Sequence, residues 1–116
     1  MDRAEIVACA AEGQPVLVQD CDLAGLDLAG LDLAGWRFHR CGMKGARWPR
    51  AILDGAVFEG SCLREAALTG ARFEAADLRG ADLGGLKLSD AARFRGATIS
   101  RAQAADLLAE LGLQVA

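Results

Sequence analysis

A leucine recurs every fifth residue in CDLAGLDLAGLDLAGWRF, residues 21–38. Five is neither a helical nor a strand period. On an α-helix a step of five overshoots a full turn by about 140°, scattering the leucines around the axis. On a flat strand an odd step places them alternately on both faces. A short fixed period that suits neither element points to a solenoid. With the large apolar residue taken as the centre of each unit, fifteen consecutive centres run from Val18 to Leu88, and all are apolar. Two residues before each centre the chain is again small or apolar, from Val16 and Cys21 to Ala81 and Leu86. Two residues after it, nine of the fifteen positions are glycine, as a tight turn in every unit favours. The remaining positions of each unit hold nearly all the charged residues of this region.

The words LDLAG, AVFEG, ARFEA, ADLRG and ADLGG resemble the pentapeptide-repeat family, over about residues 16–99. The resemblance implies an all-β solenoid: a right-handed quadrilateral β-helix in which each pentapeptide forms one side and 20 residues make one coil. Residues 20 apart then stack about 4.8 Å apart, as neighbouring strands do. The centres fall into four columns: Val18–Phe38–Phe58–Leu78, Leu23–Met43–Leu63–Leu83, Leu28–Trp48–Leu68–Leu88 and Leu33–Leu53–Phe73. That is about four coils, roughly 20 Å tall. After Leu88 the frame slips by one residue and resumes with centres Phe94 and Ile99, which predicts a bulge or small loop at residues 89–92.

Open solenoid ends expose strand edges, and both ends here carry a helical cap. Asp2 with Glu5 reads as a capping box opening a helix over Arg3 to Ala11, ended by Gly13 and Pro15. Ser100 with Gln103 opens a second over Arg101 to Leu111, ended by Gly112. Ile6 and Val7 are expected to cover the first coil, and Leu107, Leu108 and Leu111 the last. The 116 residues thus read as one domain: an N-terminal cap helix at 1–15, the β-helix at 16–99 and a C-terminal cap helix at 100–116.

Catalytic chemistry is hard to assemble from this pattern. The single histidine, His39, turns outward while Cys41 turns inward, so the two share no metal, and there is no C-x-x-C. Asp22, Asp27 and Asp32 occupy three different sides of one coil and cannot converge on an ion or substrate. Asp82 likewise reads as plain solvated surface, replaceable by alanine at almost no cost. No nucleophile elbow, phosphate loop or dinucleotide fingerprint is present, so no cofactor and no small-molecule substrate are expected. Cys21 and Cys41 stack 20 apart as two free thiols, and Cys62 points outward. No stretch approaches the roughly 20 unbroken apolar residues of a membrane helix.

Charge is banded. Residues 20–32 carry four acids and no base, whereas residues 37–50 carry five bases and no acid. A basic belt suits nucleic acid or phosphate. The register instead predicts compensation between coils, through Asp20–Arg40, Asp27–Arg47 and Glu59–Arg79, and nucleic-acid binding is disfavoured. Net charge is −3, too small to imply a charged partner by itself.

Outward apolar residues are the remaining clue. Ile52, Val57 and Cys62 stand on successive sides of the third coil, and Leu113 and Val115 follow the last helix. These five are the candidate protein-contact residues, the last two suiting a homodimer through the C-terminal segment. The function expected is a non-enzymatic scaffold or adaptor for an unidentified protein partner. The opening words after a short helix also resemble pentapeptide-repeat proteins associated with bacterial secretion systems. The alternative implied by the resemblance is a DNA-mimicking modulator of gyrase or topoisomerase, against which the short array and the basic second coil count. Arginine exceeds lysine 11 to 2, with Ala, Gly and Leu in excess, which suits a GC-rich bacterial genome and a cytoplasmic protein.

Overall fold

Every unit of the chain turns at the same point. In the computed structural model, which describes residues 2–66, 70–84 and 94–115, the second residue after each centre has a positive φ at all thirteen positions from Asp20 to Gly80. Eight of these are glycine; Asp20, Arg40, Arg50, Glu65 and Ala75 adopt the same left-handed conformation with a side chain attached. At most of these units the turn closes with a hydrogen bond from the third residue after the centre back to the centre carbonyl, as in Leu26 N–H to Leu23 O and Ala56 N–H to Leu53 O. Positive φ at the third residue of such a four-residue turn is the type II pattern.

Between turns only one to three residues stay extended, which is why regular strands are so short. Helix α1 (Arg3–Ala11) is followed by β1 (Leu17–Gln19), β2 (Arg37–His39), β3 (Val57–Glu59) and helix α2 (Arg101–Glu110). The three strands form one parallel sheet in the order β1-β2-β3, with Val18 opposite Phe38 and Phe38 opposite Phe58. Elsewhere the coils pair through single residues in the same 20-residue register: Asp22 with Gly42, Gly42 with Cys62, Cys62 with Asp82, and Asp32 with Ile52. The frame slip is visible above them, since Asp77 pairs with Thr98, 21 residues on. Leu68, Leu88 and the bulge expected at residues 89–92 lie outside the described residues.

All thirteen described centres from Val18 to Leu83 are buried, none more than 8% exposed. The aromatic ones form a ladder. Phe38 and Phe58 stack at 5.1 Å and 11°, Trp48 meets Phe38 edge-on at 5.9 Å, and Phe73 stacks with Phe94 at 4.8 Å across the slip. Offset and edge contacts at these separations add to what burial alone contributes. Two residues before the centre, small side chains let the backbone close in. Ser61, buried in the Cys21–Cys41–Ser61 column, donates its hydroxyl to Phe38 O and accepts from the Cys41 amide, each at 3.1 Å.

The caps form where the sequence places them, with differences in what they cover. Asp2 accepts from the Glu5 amide at the start of α1, and Ile6 is fully buried against the core while Val7 is half-buried. Ser100 and Gln103 make both bonds of the capping box at α2. Gln103 does more than cap: its Nε2 donates to the carbonyls of Leu78 (2.6 Å) and Ala81 (2.8 Å), pinning the helix to the exposed edge of the coil beneath. Helix α2 ends at Glu110, one residue short of the expectation, and Leu111 is 59% exposed. Leu107 and, in part, Leu108 cover the coil, whereas Leu111 has already turned away at the C-cap.

Candidate functional site

The outer surface is built from two columns of side chains flanking each centre. In the column before the centre, aspartate has a structural role that the sequence reading missed. Asp22, Asp27 and Asp32 each turn a carboxylate oxygen onto the amide two residues on, at Ala24 (3.0 Å), Ala29 (3.0 Å) and Ala34 (3.2 Å). Asp77 and Asp82 do the same with Arg79 and Gly84. This is the Asx-turn chemistry that makes aspartate favourable beside a tight turn. The three first-coil aspartates remain on separate sides, and among the described residues no three His, Cys, Asp or Glu side chains gather to hold a metal.

Charge compensation between coils is real, but its partners differ from those the 20-residue register predicts. Arg40 holds Asp20 through two hydrogen bonds, 2.6 and 2.9 Å, as expected. Arg79 turns back to Asp77 in its own unit (2.8 Å) rather than to Glu59, which meets His39 Nε2 at 3.3 Å instead. Asp27 is occupied by its own turn, and Arg47 forms no ion pair with it. Two further pairs are diagonal, 18 residues apart: Arg72 with Asp54 at 2.6 Å and Arg64 with Asp82 at 3.1 Å. The diagonal joins the column after the centre in one coil to the column before it in the next, which long arginine stems reach easily. Asp82 is therefore tied to both Arg64 and the Gly84 amide, so it is not the inert position the sequence suggests.

These contacts set the protonation states. The Arg40 and Arg79 guanidiniums hold Asp20 and Asp77 below the usual carboxyl range. The Gly84 amide, with Arg64, does so for Asp82. Burial pushes the Cys41 thiol up, so it stays neutral. All four cysteines are free thiols; Cys41 is buried and Cys9, Cys21 and Cys62 are half-buried.

Ile52, Val57 and Cys62 are half-buried on three successive sides of one coil, each set in a ladder between residues of the coils above and below. Val57 lines a shallow depression of about 420 Å³ with Glu59, Asp77 and Arg79. Leu113 and Val115 are 55% and 57% exposed beyond α2, beside Leu111. The five candidates thus form two separate groups. No helix among the described residues is long and apolar enough to cross a membrane.

Residues 53–98 match the family model for pentapeptide repeats (9 copies). No curated protein sequence matches the chain. Among solved structures it is similar to the pentapeptide repeat protein Rfr23 from the cyanobacterium Cyanothece 51142, with 24% identity over 73% of this chain and 57% of that one, and a TM-score of 0.59. It is also similar to trypsin-treated QnrB1, a plasmid-mediated fluoroquinolone resistance protein (26% identity, 82% of this chain and 45% of that one, TM-score 0.44). A third is alr5209, a pentapeptide repeat protein from Nostoc Pcc 7120 (22% identity, 85% and 96%, TM-score 0.44). The chain spans only 57% of the length of Rfr23 and 45% of QnrB1. Residues 53–98 therefore carry pentapeptide repeats, the same five-residue register runs through the described units from Val18, and the fold is shared with Rfr23.

Proposed function

We propose that this chain is a non-enzymatic scaffold or adaptor that binds another protein on the outer faces of a right-handed solenoid of about four coils. The carrying observation is the filled interior: every described centre from Val18 to Leu83 is at most 8% exposed, so side chains occupy the axis and the rigid outer faces are left for recognition. Stacked faces of this kind suit protein binding in other solenoids. Ile52, Val57 and Cys62 form the contact surface of this reading. Leu113 and Val115, with Leu111, supply a second contact that joins two copies through their C-terminal segments. Four free thiols accord with the reducing interior of a bacterial cell, and service to a secretion system is the narrower form of the reading.

Imitation of DNA for gyrase requires a continuous acidic face. Here Asp20, Asp54, Asp77 and Asp82 are each neutralised by an arginine, which favours the adaptor. Affinity capture from a bacterial lysate, comparing the natural chain with an Ile52→Asp/Val57→Asp variant, tests the proposal. A protein retained by the first and lost by the second is expected. Recovery of gyrase subunits, or identical retention by both baits, would overturn it.

A further inference from the structure

Charge on this solenoid is sorted by side as well as by coil. Consider the third side, formed by the units centred on Leu28 and Trp48. Among the described residues it carries Arg47 and Arg50, both exposed, and it receives Arg3 from helix α1, whose Nε donates to the Asp27 carbonyl at 2.8 Å. Its one acid, Asp27, gives a carboxylate oxygen to the Ala29 amide. Three arginines therefore face one aspartate. Each of the other sides has at least as many acids as bases among its described residues, and most of their arginines are paired.

The three arginines also lie on two adjacent coils. Arg3 marks the first coil, and Arg47 pairs with Asp27 one ladder step higher. Arg50 shares the coil of Arg47, three residues on, and stacks against Gly70 of the next coil, where an added Cβ would lie 3.3 Å from the Arg50 amide nitrogen and 3.4 Å from its Cγ. They make a short basic stripe across this side, Arg47 and Arg50 three residues apart on one coil and Arg3 against the coil below. The residues between them, Ala29, Gly30 and Pro49, are small or compact and leave the stripe accessible.

We infer that this side docks an extended acidic segment of a partner protein. An extended peptide places alternate side chains on one face about 6.8 Å apart, within reach of long, flexible arginine stems three residues apart on one coil. Planar guanidinium forks suit bidentate carboxylate pairing, which point charges do not provide. Nucleic acid is the poorer occupant, because substantial affinity there takes about 6 to 10 phosphate contacts and the adjoining sides would set acids beside its backbone. The inference deepens the adaptor reading by naming a partner chemistry and uses none of the residues tested above.

The probe is a fluorescein-labelled octapeptide of alternating glutamate and serine, titrated with the full chain at about 0.05 M NaCl, where screening is weak. Saturable binding that weakens with salt is expected. An Arg47→Glu/Arg50→Glu variant should lose about tenfold or more in affinity, while Arg37→Glu on the opposite side should stay within about twofold. Circular dichroism checks each fold, and Arg47→Gln/Arg50→Gln replaces the double variant if charge reversal unfolds it. Absence of saturable binding, equal weakening by Arg37→Glu, or tighter binding of an octathymidylate would each overturn the inference. Failure here beside a partner lost by Ile52→Asp/Val57→Asp would sink this stripe and leave the adaptor standing.

Discussion

Phe58 offers the most demanding test of the packing. It is fully buried, stacks on Phe38 at 5.1 Å with the rings 11° from parallel, and meets Phe73 at 6.0 Å. Truncation to alanine removes the ring from a column that the backbone ladders hold at fixed spacing, so the coils cannot collapse to fill the void. Phe→Ala changes at such sites cost about 3 to 5 kcal/mol, and the upper half of that range applies where relaxation is blocked. Against a typical domain stability of about 5 to 15 kcal/mol this is a large fraction. Phe58→Leu keeps most of the volume and gives up chiefly the two aromatic contacts, about 1 to 2 kcal/mol together. Leu17→Ala, one residue before a centre and 51% exposed, serves as control and should stay within about 0.5 kcal/mol. Urea unfolding followed by circular dichroism gives all three values. The assigned stacking is also testable by cycle: Phe38→Ala and Phe58→Ala together should cost less than the sum of the two, with a coupling of about 1 kcal/mol. A Phe58→Ala cost no larger than that of Leu17→Ala would refute the 20-residue register and with it the inward assignment of every centre.

Other outcomes follow from single contacts. Ala75 carries a side chain at φ +58, so Ala75→Gly should raise stability by up to about 1 kcal/mol in the same assay, whereas Gly30→Ala, at φ +70 in open space, should lower it by a similar amount. Gln103→Ala removes half of a capping box and two bonds to the carbonyls of Leu78 and Ala81; a loss of about 1 to 2 kcal/mol is expected, and amide exchange should quicken first in α2. Asp20, Asp77 and Asp82 have folded values below those of the unfolded chain, so the unfolded state takes up protons first on acidification. Their contribution is present above about pH 4 and is lost as pH falls through the folded values; a urea midpoint unchanged down to about pH 2 would contradict it. Iodoacetamide at about pH 8 should modify Cys62 well before Cys41, whose thiol is buried and held neutral, and mass spectrometry of the digested protein reads the order.

Inward and outward were legible in the sequence as far as Leu83 because they depend on backbone geometry repeated every five residues; beyond the slip, where that repeat is broken, the expected centre Ile99 is 38% exposed. Leu23, Leu53 and Phe73 could only be core once the period was recognised, and the match of Ser100 with Gln103 announced a helix start within a few residues. The aspartate column was visible too, but its purpose was not. The Asx bond at Ala24 is a local device that a spacing argument takes for solvated charge. Arg3 belongs to a helix 24 residues from the carbonyl it contacts, so no periodicity could assign it to the third side.

The sequence by itself determined the solenoid, its 20-residue register, the slip that brings Asp77 to Thr98, and both caps. Each of these rests on strong, local preferences: burial of a large apolar side chain, a turn that needs positive φ, a cap that satisfies free amides. Tertiary structure alone decided that Arg79 takes Asp77 and leaves Glu59 to His39, that Arg72 reaches diagonally to Asp54, that Gln103 spans the last edge, and that Leu111 faces outward. Exposed ion pairs differ from one another by no more than about 1 kcal/mol, so long flexible side chains choose among several partners by distance in the folded molecule. That distance exists only once the coils have stacked.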